Sequence, residues 1–140
     1  MNDKGECNII LGVFGPRDFK GKTYSNYNRV ADVLDGFEKI SLLVSGGGRG
    51  VEQLALRYAQ ENGIEPKIVP PHINALGAKV AFIKRNEEII RQIDMAVVFW
   101  DGKEQYYVDL LSTVVTAHKT AHVVNVEDIV VGAARFAQRG

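Results

Sequence analysis

Ser45-Gly46-Gly47-Gly48-Arg49-Gly50, followed by Val51-Glu52, is the segment of the chain with the clearest chemical use. Glycines let a backbone come close to a ligand, and the N–H groups at the start of a following helix favour an anion, above all a phosphate. The spacing is neither that of the P-loop, whose lysine is missing, nor that of the dinucleotide fingerprint. A bare strand-to-helix turn would use one or two glycines, whereas this loop holds four together with a serine and an arginine. The reading that follows is an anion site.

Three other segments carry candidate groups. In Gly15-Pro16-Arg17-Asp18-Phe19 the arginine offers a planar fork of donors to a phosphate or carboxylate, and Asp18 either orients it or accepts a ribose hydroxyl. The alternative is an exposed turn with a surface ion pair of little energetic weight. Lys84-Arg85-Asn86 reads as a turn, with Asn86 capping a helix from Glu87 to Arg91 while Arg85 points elsewhere. Phe99-Trp100-Asp101-Gly102 closes an apolar run, and its Trp100 either stacks on a base or is a core or rim aromatic. Glu104, Tyr106, Tyr107 and Asp109 beyond it either line a site or form a solvated helix start, and His72, His118 and His122 are read as structural.

The elements that must position these groups follow from hydrophobic period. Five short apolar runs read as strands: Ile9 to Phe14, Ile40 to Val44, Pro66 to Val69, Met95 to Trp100 and Ala121 to Val126. Each is nearly continuous in apolar residues, which predicts burial on both faces. Between them, helical spacing predicts a helix starting within Thr23 to Tyr27 and carrying Val30, Val33, Leu34 and Phe37. A second helix runs from the glycine loop to a stop at Asn62-Gly63, one or two pieces cover Val80 to Ile93, and another covers Val108 to Ala117. Pro70-Pro71 ends the third strand, and a last helix is predicted from Val126 to Ala137 with Asn125 as its cap. Alternation of strands and helices makes this an α/β domain, three layers around a mostly parallel sheet of about five strands. In such sheets the ligand crevice opens at the carboxyl ends of the central strands, where both the first loop and the Trp100-Asp101-Gly102 end lie.

Composition narrows the class. A chain of 140 residues that is 46% hydrophobic has enough apolar surface for one buried core. Seventeen basic residues balance seventeen acidic ones, so no global field attracts polyanions and nucleic acid is not an expected partner. Cys7 is alone and cannot form an internal disulfide, and with three scattered histidines it makes no zinc constellation. No apolar run approaches the roughly 20 residues of a membrane span, so the expectation is a cytoplasmic protein with no metal and no cofactor.

The order of the four motifs resembles the SLOG superfamily of Rossmann-like proteins, in particular its small stand-alone members common in bacteria and phages. Gly15-Pro16-Arg17-Asp18-Phe19, Val44 to Glu52, Leu54-Ala55, Arg85-Asn86 and Phe99-Trp100-Asp101-Gly102 carry the resemblance, which spans Ile9 to about Val126. It implies a nucleotide or nucleotide-derived ligand held across these loops, on Gly15, Arg17, Asp18, Ser45, Gly46, Gly47, Gly48, Arg49, Gly50, Glu52, Arg85, Asn86, Trp100, Asp101, Gly102 and Tyr106. Relatives of the lonely-guy type cleave the N-glycosidic bond of nucleoside monophosphates. This chain departs from them after Gly102, where Tyr106-Tyr107 replace the Gly-Thr pair that grips phosphate in the family, and Leu110 stands at the position of the catalytic glutamate, with Asp109 the nearest carboxylate. Hydrolysis without that group lacks the carboxylate that meets ribosyl charge or activates water. The expectation is a non-catalytic sensor or sequestering protein, the alternative a phosphoribohydrolase-like enzyme using Asp109 or Glu52. A homo-oligomer is also expected, because the segments Val80 to Ile93 and Val108 to Ala117 carry more apolar residues than one sheet face covers.

Overall fold

A computed structural model describes residues 8–17, 26–73, 75, 77–100 and 104–125 of the chain. Asp18, Asp101, Gly102, Cys7 and the predicted helix from Val126 to Ala137 lie outside the described residues. Strands and helices alternate in the order β1 (Ile9–Phe14), α1 (Asn26–Leu34), β2 (Ile40–Ser45), α2 (Val51–Glu61), β3 (Glu65–Ile68), α3 (Ala78–Gln92), β4 (Met95–Trp100), α4 (Gln105–Thr116) and β5 (Thr120–Asn125). The five strands form one sheet in the order β3-β2-β1-β4-β5, and every neighbouring pair is parallel. The fold is therefore α/β and Rossmann-like, with a wholly parallel sheet between two helical layers.

Alternation along each central strand divides the core. Leu11 and Val13 of β1 and Val97 and Phe99 of β4 join Val30 and Leu34 of α1 and Ala55, Tyr58 and Ala59 of α2 in one buried cluster. Phe14, Val44, Ala96 and Val98 face the opposite way and pack on Ile89 and Ile90 of α3 and Tyr107, Leu110 and Val114 of α4. Helices α1 and α2 thus cover one face and α3 and α4 the other. Across the first layer, the Tyr58 hydroxyl on α2 donates to Asp35 Oδ1, just beyond α1, at 2.6 Å; burial and the neighbouring carboxylate raise the Tyr58 pKa well above that of a free phenol.

Two sequence expectations need correction here. The outer strands are not buried on both faces: all four residues of β3 are exposed, and β5 is only partly covered, because both lie at the sheet's edges. An edge position also accommodates Pro66, which has no N–H to give to a ladder. The turn read at Lys84-Arg85-Asn86 is the second: of the one or two pieces expected over Val80 to Ile93, the structure has one. Lys84, Arg85 and Asn86 continue one 15-residue helix, α3, so there is no turn at these residues and Asn86 is not a cap. No helix among the described residues is long and apolar enough to cross a membrane.

Candidate functional site

The chain winds outward from β1 through β2 to β3 and then returns to place β4 on the other side of β1. The connections leaving β1 and β4 therefore go to opposite faces of the sheet, and a crevice opens at their carboxyl ends. That crevice is a cleft of about 780 Å³, walled by the loops after β1, β2 and β3, by one face of α3 and by the start of α4.

The loops after β1 and β2 interlock. Gly50, at the start of α2, has φ 79°, and a side chain there would run into the carbonyl oxygens of Pro16 and Arg17. The Val51 N–H donates to Pro16 O at 3.2 Å. Glycine at 50 is thus required twice, by its backbone conformation and by the close passage of the first loop. Locked in this way, Arg17 and Arg49 both stand exposed at the cleft.

Beneath them the glycine loop is held from inside. Ser45, fully buried, accepts the Gly47 N–H on Oγ at 3.1 Å and donates to Glu52 O at 3.2 Å. Glu52 Oε1 accepts the Gly48 N–H at 3.0 Å. The sequence predicts free backbone donors in this loop, but those of Gly47, Gly48 and Val51 are already engaged by a serine hydroxyl, a carboxylate and a carbonyl of the protein. Glu52 is itself 8% exposed, and burial raises its carboxyl pKa, against the opposing pull of Arg85, the Gly48 N–H and Arg17.

Arg85 reaches into the cleft from α3. Its guanidinium is buried, with Nη1 3.9 Å from Glu52 Oε1 and the carbon 5.3 Å from the centre of the Phe82 ring. Nε donates to Asn86 Oδ1 at 2.9 Å, and Asn86 Nδ2 donates to the Tyr106 hydroxyl at 2.6 Å. A continuous polar line therefore runs from the glycine loop through Glu52, Arg85 and Asn86 to the first turn of α4.

Of the sixteen residues singled out, the cleft gathers Gly15, Arg17, Gly46, Gly47, Gly48, Arg49, Glu52, Arg85 and Tyr106 on its wall. Ser45, Gly50 and Asn86 act one step back, holding the loop, the helix start and Arg85. Trp100 is not on the wall: it packs partly against the α3–α4 core, and its indole N–H donates to Glu104 O at 3.1 Å. Tyr107, 5% exposed, belongs mainly to that same core. Asp109 faces the groove between α3 and α4, where its carboxylate accepts from Gln105 at 3.3 Å. Pro70, Pro71 and Phe82 also line the cleft, a contribution that their positions after a strand and on a helix did not signal.

Chemically, this arrangement offers exposed and buried guanidinium groups beside one buried carboxylate, with aromatic and proline surface between them. Such a cleft complements a small molecule with an anionic end and a flat or apolar body. No protein-family model matches the chain, and no curated protein matches it.

Proposed function

We propose that the chain binds a nucleotide or nucleotide-derived small molecule in this cleft, as a non-catalytic sensor or sequestering protein of the SLOG kind. The observation that carries the reading is the convergence of Arg17, Arg49 and Arg85 with the glycine loop at the carboxyl ends of β1 and β2, beside the switch point of the sheet. Arg17 and Arg49 meet the phosphate, since the nearest loop amides already have acceptors within the protein. Glu52 limits the anion to the outer part of the cleft by repulsion. The body of the ligand then lies toward Phe82 and Tyr106, with the base in contact with their rings.

Calorimetric titration of the purified protein with nucleoside mono- and diphosphates tests the proposal, together with mass spectrometry of small molecules released when the protein is denatured. Saturable binding that is lost in Arg17→Ala supports it. Absence of binding and of any released small molecule rejects it.

One observation favours a second reading. Glu52 is a cleft carboxyl whose pKa is raised by burial, the property of a group that protonates a leaving base, so an N-glycoside hydrolase remains the competing activity. Free base released from a nucleoside monophosphate at an enzymatic rate would select it.

A further inference from the structure

Resting on the nucleotide reading of the cleft, the direction of every hydrogen bond in the line from Arg85 to Tyr106 can be assigned. A guanidinium has donors and no acceptor. The Asn86 atom that faces Arg85 Nε at 2.9 Å is therefore the carbonyl oxygen, and the atom turned to Tyr106 at 2.6 Å is the amide nitrogen. That nitrogen has only hydrogens to offer, so the Tyr106 oxygen must accept. Having accepted from Asn86, Tyr106 keeps its own proton, for which no acceptor is found among the described residues.

The ring is in position to use that proton. It stands 39% exposed on the wall shared by the cleft and the α3–α4 groove. It meets Tyr107 edge to face at 4.9 Å between centroids, and Tyr107 is fixed in the core. Arg85 is in turn confined by Glu52 and by contact with Gly46, so the donor at one end of the cleft has its polarity set by buried groups at the other.

We propose that Tyr106 is a specificity-determining hydrogen-bond donor, selecting a ligand whose base presents a carbonyl oxygen to α4 over one that presents an amino group. The class of ligand is a nucleotide with a keto group at the pyrimidine 4 or purine 6 position. An amino group there would bring its hydrogens against the Tyr106 proton.

Two near-isosteric pairs serve as probes: uridine against cytidine 5′-monophosphate, and inosine against adenosine 5′-monophosphate. Wild type should bind the keto member of at least one pair more tightly, by about 3- to 10-fold, the weight of one neutral hydrogen bond. Tyr106→Phe, which removes only the hydroxyl, should bring the ratio close to one. Asn86→Asp is the sharper test. Its carboxylate still accepts from Arg85 but also accepts the Tyr106 proton, so the phenol oxygen turns its lone pairs to the ligand and the preference should reverse toward the amino member. The added negative charge weakens both members of a pair alike, which leaves the ratio as the readout. A keto-to-amino ratio that is the same in wild type, Tyr106→Phe and Asn86→Asp overturns the assignment of Tyr106 while leaving nucleotide binding intact. Failure of all four monophosphates to bind wild type overturns the nucleotide reading and this inference together.

Discussion

The Arg85 guanidinium fills the space that a side chain at Gly46 would need: a Cβ built on Gly46 runs into Nη1. Glycine at this position is what lets an arginine on α3 pass close over the loop after β2. Gly46→Ala should therefore displace Arg85 from Glu52, weakening binding of a nucleotide probe and costing about 1–3 kcal/mol of stability through overpacking. Removing the displaced group relieves the clash, so Gly46→Ala with Arg85→Ala should cost less than the sum of the two single changes by about 1 kcal/mol. Urea melts of the four proteins in this cycle measure the coupling, and strict additivity would show that the two residues do not share this space.

Arg17 and Arg85 differ in exposure, and the difference has a consequence for salt. Alanine at Arg17 should weaken binding of an anionic probe by roughly 10- to 150-fold, on the order of 1.5–3 kcal/mol, and lysine should not restore it, because a point charge lacks the planar fork; alanine at Arg85 should weaken it by leaving the Glu52 carboxylate without its counterion in the cleft. Exposed Arg17 is open to screening, whereas Arg85 is 6% exposed. The affinity lost in Arg17→Ala should shrink as sodium chloride is raised, and that lost in Arg85→Ala should change less. Calorimetry at low and high salt distinguishes the two, and wild-type affinity in both variants would place the anion elsewhere.

What the chain discloses in advance follows the physics of each segment. The three central strands and the helices after β2 and β4 are legible because continuous apolar runs and helical spacing have little other use, and because Asn62-Gly63 marks a stop. Pro66 to Val69 has a similar composition to a buried strand, but its position at the edge is decided by the order of the sheet, which hydrophobic pattern does not encode. The glycine loop and Arg17 announce themselves by residue type. Asn86 misleads because a short polar run inside a helix looks like a break; in the folded chain Arg85 and Asn86 turn inward, toward Glu52 and Tyr106, while Lys84 stays exposed. Arg29 shows the same limit, since its position among polar residues of α1 gives no sign that it is 1% exposed. The internal use of the Gly47 and Gly48 donors depends on side-chain direction, and the residue types alone leave it open.

Glu52 should make stability depend on pH in a definite direction. Its folded pKa is raised by burial above that of an unfolded glutamate, about 4.3. The folded state thus holds the proton more tightly, so the contribution of this group is fully present below the unfolded value and is lost as pH rises through the folded one. Glu52→Gln keeps an acceptor for the Gly48 N–H and removes the ionisation. Relative to this variant, wild type should lose stability between acid and neutral pH. Chemical denaturation across that range measures the difference, and a gap that stays constant or moves in favour of wild type would contradict the raised pKa.

Helices α3 and α4 carry apolar groups on their outer side: Ile83 is 45% exposed, Val108 42% and Val115 65%. Covering such residues is a common reason for a small domain to pair with a second copy, and a dimer is the expected state. Light scattering at micromolar concentration should give about twice the mass of one chain. Ile83→Asp with Val108→Asp should reduce it to one, with the circular dichroism of the fold retained. A wild-type particle of single-chain mass would exclude the dimer.

Among the described residues, few carboxylates are placed for hydrolysis. Leu110 is buried in the α3–α4 core and has no acid to offer. Asp109 is turned into the groove between those helices, with Gln105 as its neighbour, and is not on the wall of the cleft. Of the two carboxylates on the described wall of the cleft, Glu104 is exposed, whereas Glu52 has its Oε1 engaged by the Gly48 N–H, in the floor of the glycine loop; Glu52 is the one whose pKa burial raises. A group held there can protonate a leaving atom only if the ligand lies deep in the cleft, inside the ring of arginines that the proposed phosphate occupies from outside. The expected outcome is slow or absent release of free base from nucleoside monophosphates, followed by chromatography of the reaction over hours, with Glu52→Gln no slower than wild type. Release at enzymatic rates that is abolished in Glu52→Gln and retained in Asp109→Asn would instead make Glu52 the acid of a hydrolase, and the binding preference at Tyr106 would then be read as substrate selection.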